Sequence, residues 1–251
     1  MSSAIWPDFL IDSQGDPLGK AWLRQTWMVR RLKWAIRRTR KAYYRRFGAS
    51  LLRRRLAQSS SRRLTIGASS RYDVGWIPTE KEYLNLLHAD EWRHFLAPSS
   101  VDAMLAEHVW EHLAADEALT AARTCFTYLR SGGYLRIAVP DGLHPDPDYQ
   151  AQSKVGGHGP GGGPNDHHVF YTYRTATELF ELAGFSVELY EYFDEDGAFH
   201  DRPWDEHAGK IRRSKRFDHR NRGGRLGYTS IILDAMKPAP DSSLQRLTAA
   251  A

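Results

Sequence analysis

The sequence contains one cysteine and no long apolar run. Because Cys125 has no second thiol to pair with, an internal disulfide is excluded and a reducing compartment is favoured. No stretch approaches the roughly 18–20 apolar residues that a membrane-spanning helix needs. The first 16 residues contain three acids and no base, unlike a secretory signal. These absences predict a cytoplasmic protein.

Acidic residues are absent from residues 17–63, which contain 16 lysines and arginines. Residues 64–251 hold 19 basic and 27 acidic residues, so their net charge is −8 although the whole chain carries +5. The excess positive charge therefore belongs to an amino-terminal arm, which we define as residues 1–61. This distribution restricts any anionic partner to the arm.

Residues 18–56 have the periodicity of one amphipathic helix, with Gly48 as a candidate break. Arginines repeat every seven residues on another face. Three interpretations stay open: packing on the body or a second subunit, binding to an anionic membrane surface, and, least favoured, binding to nucleic acid. The membrane interpretation predicts a location peripheral to the inner membrane. The apolar positions are Leu18, Trp22, Val29, Leu32, Ile36, Tyr43, Phe47 and Leu51.

Beyond a serine-rich linker, apolar runs alternate with helical patterns, which predicts an α/β fold. We expect a mostly parallel Rossmann-like sheet with helices on both faces over residues 62–238, preceded by the basic helical arm. Residues 239–251 are predicted to be a disordered tail. Thr175 is the predicted N-cap of a helix over 175–183. The predicted strands are 63–67, 75–80, 101–106, 134–139, 186–193 and 228–235, and residues 114–129 form the other predicted helix.

Two insertions interrupt this alternation, about residues 142–168 and 194–227. The first contains six glycines between Gly156 and Pro164, and the second is rich in arginine and histidine. Long irregular segments in compact domains are usually functional or disordered. Both would leave the sheet near its carboxyl edge, where open α/β folds bind ligands.

Three features fit an adenosyl cofactor at that edge. Gly67 supplies a small residue after the first strand, Glu80 an acid after the second, and Glu107-His108 the end of a later strand. The 13 residues from Gly67 to Glu80 are fewer than a full helical crossover prefers.

The order of these segments resembles class I (Rossmann-like) S-adenosylmethionine-dependent methyltransferases. It is closest to the bacterial predicted methyltransferases associated with cell-surface polysaccharide genes. The resemblance covers residues 63–237, and Ala183-Gly-Phe185 fits the same pattern. The segments that carry it are Leu64–Gly67, Gly75–Glu80, Val101–Leu113 and Leu129–Asp141.

The resemblance implies an enzyme with S-adenosyl-L-methionine as cofactor, methylating oxygen on a saccharide-related or other small hydroxyl acceptor. The family's first turn reads G-x-G, whereas this chain has Ser69 at the second glycine, which narrows the approach to the cofactor. A catalytically inactive Rossmann-like binding module, docked by its arm to a membrane or partner enzyme, is the alternative. The implied cofactor-binding residues are Gly67, Ala68, Ser69, Glu80, Asn85, Asp90, Glu107 and His108.

An alcohol acceptor needs a base near neutral pH, and histidine suits that role. We favour His167 among the candidates, with His108 next and Asp141 orienting the base or a substrate hydroxyl. The remaining candidates are His144, His158 and His168.

His108-Val-Trp-Glu-His112 also matches H-x-x-E-H, the inverted zinc-peptidase signature. On a helix, the two histidines would hold Zn²⁺, with Glu111 as base. The strand-like run before His108 disfavours that geometry, so zinc hydrolysis is a minor alternative and no metal site is expected.

Residues 210–222 form a second cationic cluster. Their arginines suit an acidic sugar or a sugar phosphate, or they pair with nearby acids. Trp204 and Tyr192 either stack on a sugar ring or belong to the core.

Overall fold

Seven strands form one sheet in the order β2-β1-β3-β4-β7-β5-β6. β1 to β5 point the same way, because β7 is antiparallel to both β4 and β5, and β6 is antiparallel to β5. The predicted mostly parallel α/β sheet is therefore confirmed. The strands are β1 (Arg63–Ile66), β2 (Ile77–Pro78), β3 (Val101–Glu107), β4 (Leu129–Pro140), β5 (Ser186–Phe193), β6 (Phe199–Asp201) and β7 (Ser230–Met236).

This computed structural model describes residues 27–68, 71–156, 166–221 and 223–239. The chain divides into two compact units, Met1–Tyr43 and Tyr44–Ala251. The helices are α1 (Trp27–Gln58), α2 (Ala89–Trp92), α3 (Ala115–Tyr128), α4 (Pro147–Ser153) and α5 (Tyr173–Leu182), with 3₁₀ turns at Trp110–His112 and Glu206–Ala208. None of the helices in these ranges is long and apolar enough to cross a membrane.

Side chains alternate between the two faces of β3, as the pleat of a strand requires. Met104 and Ala106 belong to a core that α3, α5 and Leu52 of α1 complete. Ala103 and Leu105 belong to a smaller core with Ile211. We call these the helical face and the looped face of the sheet.

Helix α1 continues through Gly48, so the predicted break there is wrong. A Cβ at this position would overlap the ring of Tyr83. The glycine therefore allows close packing rather than ending the helix. Residues 18–26 of the predicted arm helix lie outside the described residues.

The N-cap of α5 is Thr172, not the predicted Thr175. The Thr172 side chain accepts from the backbone N–H of Thr175, and the Thr175 hydroxyl accepts from that of Thr172. This reciprocal pair is a capping box, so the helix begins at Tyr173.

A buried ion pair fastens the segment 204–211 to the looped face. Arg136 of β4 donates from Nε and Nη2 to the two carboxylate oxygens of Asp234, each at 2.8 Å. Its Nη1 donates to the carbonyls of Asp205 and Gly209. The guanidinium carbon also lies 5.2 Å from the centroid of the Trp204 ring. Polar contacts therefore attach an irregular segment to the looped face, whereas helices cover the helical face.

Candidate active site

A cavity of about 410 Å³ opens where β1 and β3 end. Parallel pairing places these ends side by side, with Ile66 opposite Ala106. Among the predicted cofactor-binding residues, Gly67, Ala68, Glu107 and His108 line this cavity. Residues predicted at the ends of β1 and β3 therefore lie in one site, although these strands are not consecutive in the chain.

Gly67 begins the turn after β1 with φ +59°. Residues other than glycine adopt this backbone conformation only at an energetic cost. A Cβ there would lie 3.1 Å from Cγ2 of Val109. The turn leads to β2 without any helix in its described residues. The connection from β1 to β2 is therefore as short as the spacing of Gly67 and Glu80 predicts.

His108 follows β3 with φ +56°, an uncommon conformation for a residue other than glycine. Its side chain is 7% exposed. Nδ1 lies 2.9 Å from Oε1 of Glu111, and Nε2 lies 3.0 Å from Oγ of Ser230. A strained backbone, a carboxylate and a hydroxyl together fix this imidazole at the cavity wall.

The His108 and Glu111 side chains titrate as a coupled pair. Burial lowers the pKa of His108 below its ordinary value, against the opposing charge of Glu111. Burial would raise the pKa of Glu111, but the facing His108 and His112 hold it below its ordinary value.

Three arginines on the cavity wall give it positive charge: Arg71, Arg212 and Arg213. Arg212 pairs with Asp73 at 2.8 Å. Within the described ranges, Arg71 and Arg213 have no carboxylate partner within ion-pair distance. The backbone N–H of Arg213 donates to Oε1 of Glu107, which fixes the 210–213 segment beside β3. The wall suits a ligand that carries a carboxylate or phosphate.

Among the described residues, three predicted cofactor-binding residues do not line the cavity: Glu80, Asn85 and Asp90. Glu80 is buried just beyond β2. The Asn85 side chain accepts from the backbone N–H of Leu87. Asp90 is exposed and pairs with Arg93 at 2.6 Å. Ser69 lies outside the described residues.

His167, the favoured base, lies in a second group of side chains together with Glu111 and His112. One ligand atom from each of the three lies within 4.8 Å of the others. Nε2 of His167 is 4.0 Å from Oε1 of Glu111. The backbone N–H of His168 donates to the Glu111 carbonyl at 2.7 Å, which holds the two segments together. We call this group the histidine cluster.

The histidine cluster uses a different histidine pair from the one that the H-x-x-E-H motif requires. His108 lies at the end of β3, and His112 lies in a 3₁₀ turn rather than an α-helix. The residue that joins Glu111 and His112 is His167, 55 positions beyond His112. Nothing in the local sequence pattern pairs these segments.

Asp141 is fully buried and joins the ends of two strands. Its carboxylate accepts from the backbone N–H groups of Leu143 and Phe193. Burial raises the pKa of Asp141 to about 6, although these hydrogen bonds oppose the shift. Its visible contacts hold the loop after β4 against β5.

Two further histidine candidates, His144 and His168, are described and do not line the cavity. His144 stacks on Tyr149 with ring centroids 3.9 Å apart, and burial lowers the pKa of His144 to about 4. His168 is exposed. His158 lies outside the described residues.

Three cations of the cationic cluster pair with acids and do not line the cavity: Lys215 with Asp201, Arg216 with Glu206, and Arg220 with Asp218. The two aromatic candidates for sugar stacking also have partners within the chain. Trp204 donates from Nε1 to Glu191, and Tyr192 stacks on His200.

No family model matches the chain, and no curated protein matches it. Among solved structures it is similar to PigF with SAH, at 12% identity and TM-score 0.38 over 68% of this chain. The chain covers 38% of PigF.

Two further similar structures are methyltransferases by their descriptions. One is a SAM-dependent methyltransferase, possible histamine N-methyltransferase, from Thermotoga maritima: 12% identity, TM-score 0.43, covering 80% of this chain and 95% of that one. The other is a SAM-dependent methyltransferase from Archaeoglobus fulgidus: 15% identity, TM-score 0.41, covering 77% and 94%. At such low values these similarities do not identify the activity of this chain.

Proposed function

We propose that the cavity binds S-adenosyl-L-methionine and that the chain is a methyltransferase. The observation that carries the proposal is the wall that Gly67, Glu107 and His108 form at the ends of two adjoining parallel strands. Gly67 leaves space that a Cβ would fill, and Arg71 and Arg213 offer cations for the cofactor's carboxylate. The residues present therefore fit this cofactor.

The other predicted cofactor contacts belong to the same proposal. Glu80, buried just beyond β2, would accept hydrogen bonds from the ribose hydroxyls. Asn85 or Asp90 would lie near the adenine, and Ser69 in the turn after Gly67. When bound, S-adenosylmethionine supplies a methyl group that is already activated as a sulfonium substituent.

We propose His108, rather than His167, as the base for a hydroxyl acceptor. His108 lines the cavity, whereas the Nε2 of His167 faces Glu111. Burial lowers the pKa of His108, and Glu111 at 2.9 Å would stabilise the imidazolium that forms on proton uptake. The acceptor hydroxyl would take the place of the Ser230 hydroxyl at Nε2. Asp141 would act indirectly, by positioning the loop after β4.

The acceptor class and the location are the finer parts of the proposal. A hydroxyl on a saccharide-related molecule agrees with a histidine base and with the motif order of polysaccharide-associated methyltransferases. For the arm, Leu32, Ile36 and Tyr43 are each about half exposed or more on one stripe of α1, among arginines. This supports association with an anionic membrane surface, which sedimentation with anionic vesicles, with and without residues 1–43, would test.

Calorimetry of the full chain with S-adenosylmethionine tests the cofactor. We expect binding in the micromolar range, strongly weakened by Gly67→Ala and by Glu80→Ala. Gly197→Ala is the matched control, because Gly197 has φ +76° but open space where a Cβ would lie. Absence of heat at millimolar ligand would contradict the enzyme and favour the inactive binding module.

A further inference from the structure

Glu111 is a buried carboxylate whose charge is incompletely compensated. It is 1% exposed, and neither oxygen accepts a hydrogen bond of normal geometry from the described part of the chain. Nδ1 of His108 lies 2.9 Å from Oε1, but outside the angular range of a hydrogen bond. Burying such a carboxylate costs several kcal/mol unless a cation is near, so this position calls for one.

The hydrogen bonding of His167 leaves one ring nitrogen directed at that carboxylate. Nδ1 lies 2.7 Å from the carbonyl oxygen of Ser153, which only accepts, so Nδ1 carries the proton. Nε2 is therefore the ring nitrogen that can bind a metal. It lies 4.0 Å from Oε1 of Glu111, so two possible ligand atoms face each other across a buried gap.

His112 repeats this arrangement from the other segment. Its Nδ1 lies 3.2 Å from the carbonyl oxygen of Asp166, which only accepts, so Nε2 is the ring nitrogen that can bind a metal. Histidines that bind metals commonly donate their second nitrogen to a backbone carbonyl in this way, which fixes the tautomer and the ring. The His112 side chain is 34% exposed, so it connects the buried gap to solvent.

We propose that Glu111, His112 and His167 bind a divalent transition metal of the zinc type. Two imidazole nitrogens and one carboxylate are a common zinc set that leaves a fourth position for water or another oxygen. Donors bound to one zinc at about 2.0–2.1 Å lie roughly 3.3 Å apart, so side-chain shifts of about 1 Å complete the site.

The metal would join two distant segments of the chain. Glu111 and His112 come from the 3₁₀ turn after β3, and His167 comes from the segment before α5. Tyr171 lies beside this site with a buried hydroxyl that has no hydrogen-bond partner among the described residues. Burial and the charge of Glu111 raise the pKa of Tyr171, so its hydroxyl stays protonated. This inference does not rest on methyl transfer, since zinc and S-adenosylmethionine binding are measured separately.

Competition for Zn²⁺ between the chelator-stripped full chain and a chromophoric chelator tests the site. We expect one equivalent of zinc to bind and the melting temperature to rise. Affinity should fall by about tenfold or more in His167→Ala and in Glu111→Gln. Retained affinity in both variants, or no stoichiometric zinc in the unaltered chain, would overturn the proposal.

Two matched variants separate this site from alternatives. His219→Ala removes a histidine that is 70% exposed and should keep full affinity. His108→Asn should also keep zinc, whereas a site built from His108 and His112 would lose it. X-ray absorption of the zinc-loaded, unaltered protein gives a readout independent of folding in the variants: two imidazole nitrogens with oxygen support the site, and any other shell contradicts it.

Discussion

The two faces of the sheet are covered in different ways. On the helical face, small and aromatic side chains of α3 and α5, such as Ala121 and Phe180, pack on the strands. On the looped face, the contacts to segment 204–211 include a buried ion pair as well as apolar packing. The segment that this ion pair holds continues to Arg212 and Arg213 on the cavity wall. The geometry of the site therefore depends on the ion pair between Arg136 and Asp234.

Loss of Arg136 should have the largest effect. Arg136→Met leaves Asp234 buried without its partner and releases the carbonyls of Asp205 and Gly209, so the free energy of unfolding should fall by about 3–5 kcal/mol. Urea denaturation measures this. Arg130→Met, which breaks the half-exposed pair with Asp102, should cost at most about 1 kcal/mol. Equal losses in the two variants would remove the special role of the looped face.

Arg213→Ala should weaken the binding of S-adenosylmethionine or of its demethylated product by about tenfold, because a charge-assisted hydrogen bond contributes about 1.5–3 kcal/mol. Calorimetry reports the change. Arg216 belongs to the same segment but is exposed and pairs with Glu206, so Arg216→Ala should leave the affinity unchanged. If both variants bind equally well, the looped face does not supply the ligand cation.

The smallest effect concerns packing density on the two faces. Ile137 and Ile232 are both fully buried, one in each core. Ile→Val at either position should cost about 0.5–1.5 kcal/mol, as in well-packed interiors. A negligible loss at Ile232 alone, measured by thermal or urea unfolding, would mean that the looped face is loosely packed.

The sequence predicted best what local patterns control. The apolar run Ser186–Phe193 is strand β5 with the same bounds, and residues 114–129 contain α3. Thr175 was the wrong N-cap for α5, because the cap is Thr172 and the capping box uses both threonines. The helix break predicted at Gly48 was wrong. The residue that requires a glycine there, Tyr83, is 35 positions away in the sequence, and only the fold brings its ring close.

The candidate site likewise contains residues that local sequence patterns predict and residues that they do not. Gly67, Glu107 and His108 could be predicted, because each directly follows or ends a strand and parallel strands place such residues at one edge. The histidine cluster could not, since His167 reaches Glu111 only through the return of a long segment. Its local signal, the H-x-x-E-H match, was present but pointed to His108 in place of His167. Arg213 likewise reaches Glu107 across 106 positions.

The backbone of His108 restricts which replacements can report on chemistry. At φ +56°, asparagine and glycine are tolerated, whereas valine or isoleucine would strain the chain. A saturation library at this position should therefore separate into two groups by expression level before any assay is done. His108→Asn keeps the backbone and removes the imidazole, which makes it the cleaner replacement, and an inactive but well-folded asparagine variant would assign the loss to the ring itself.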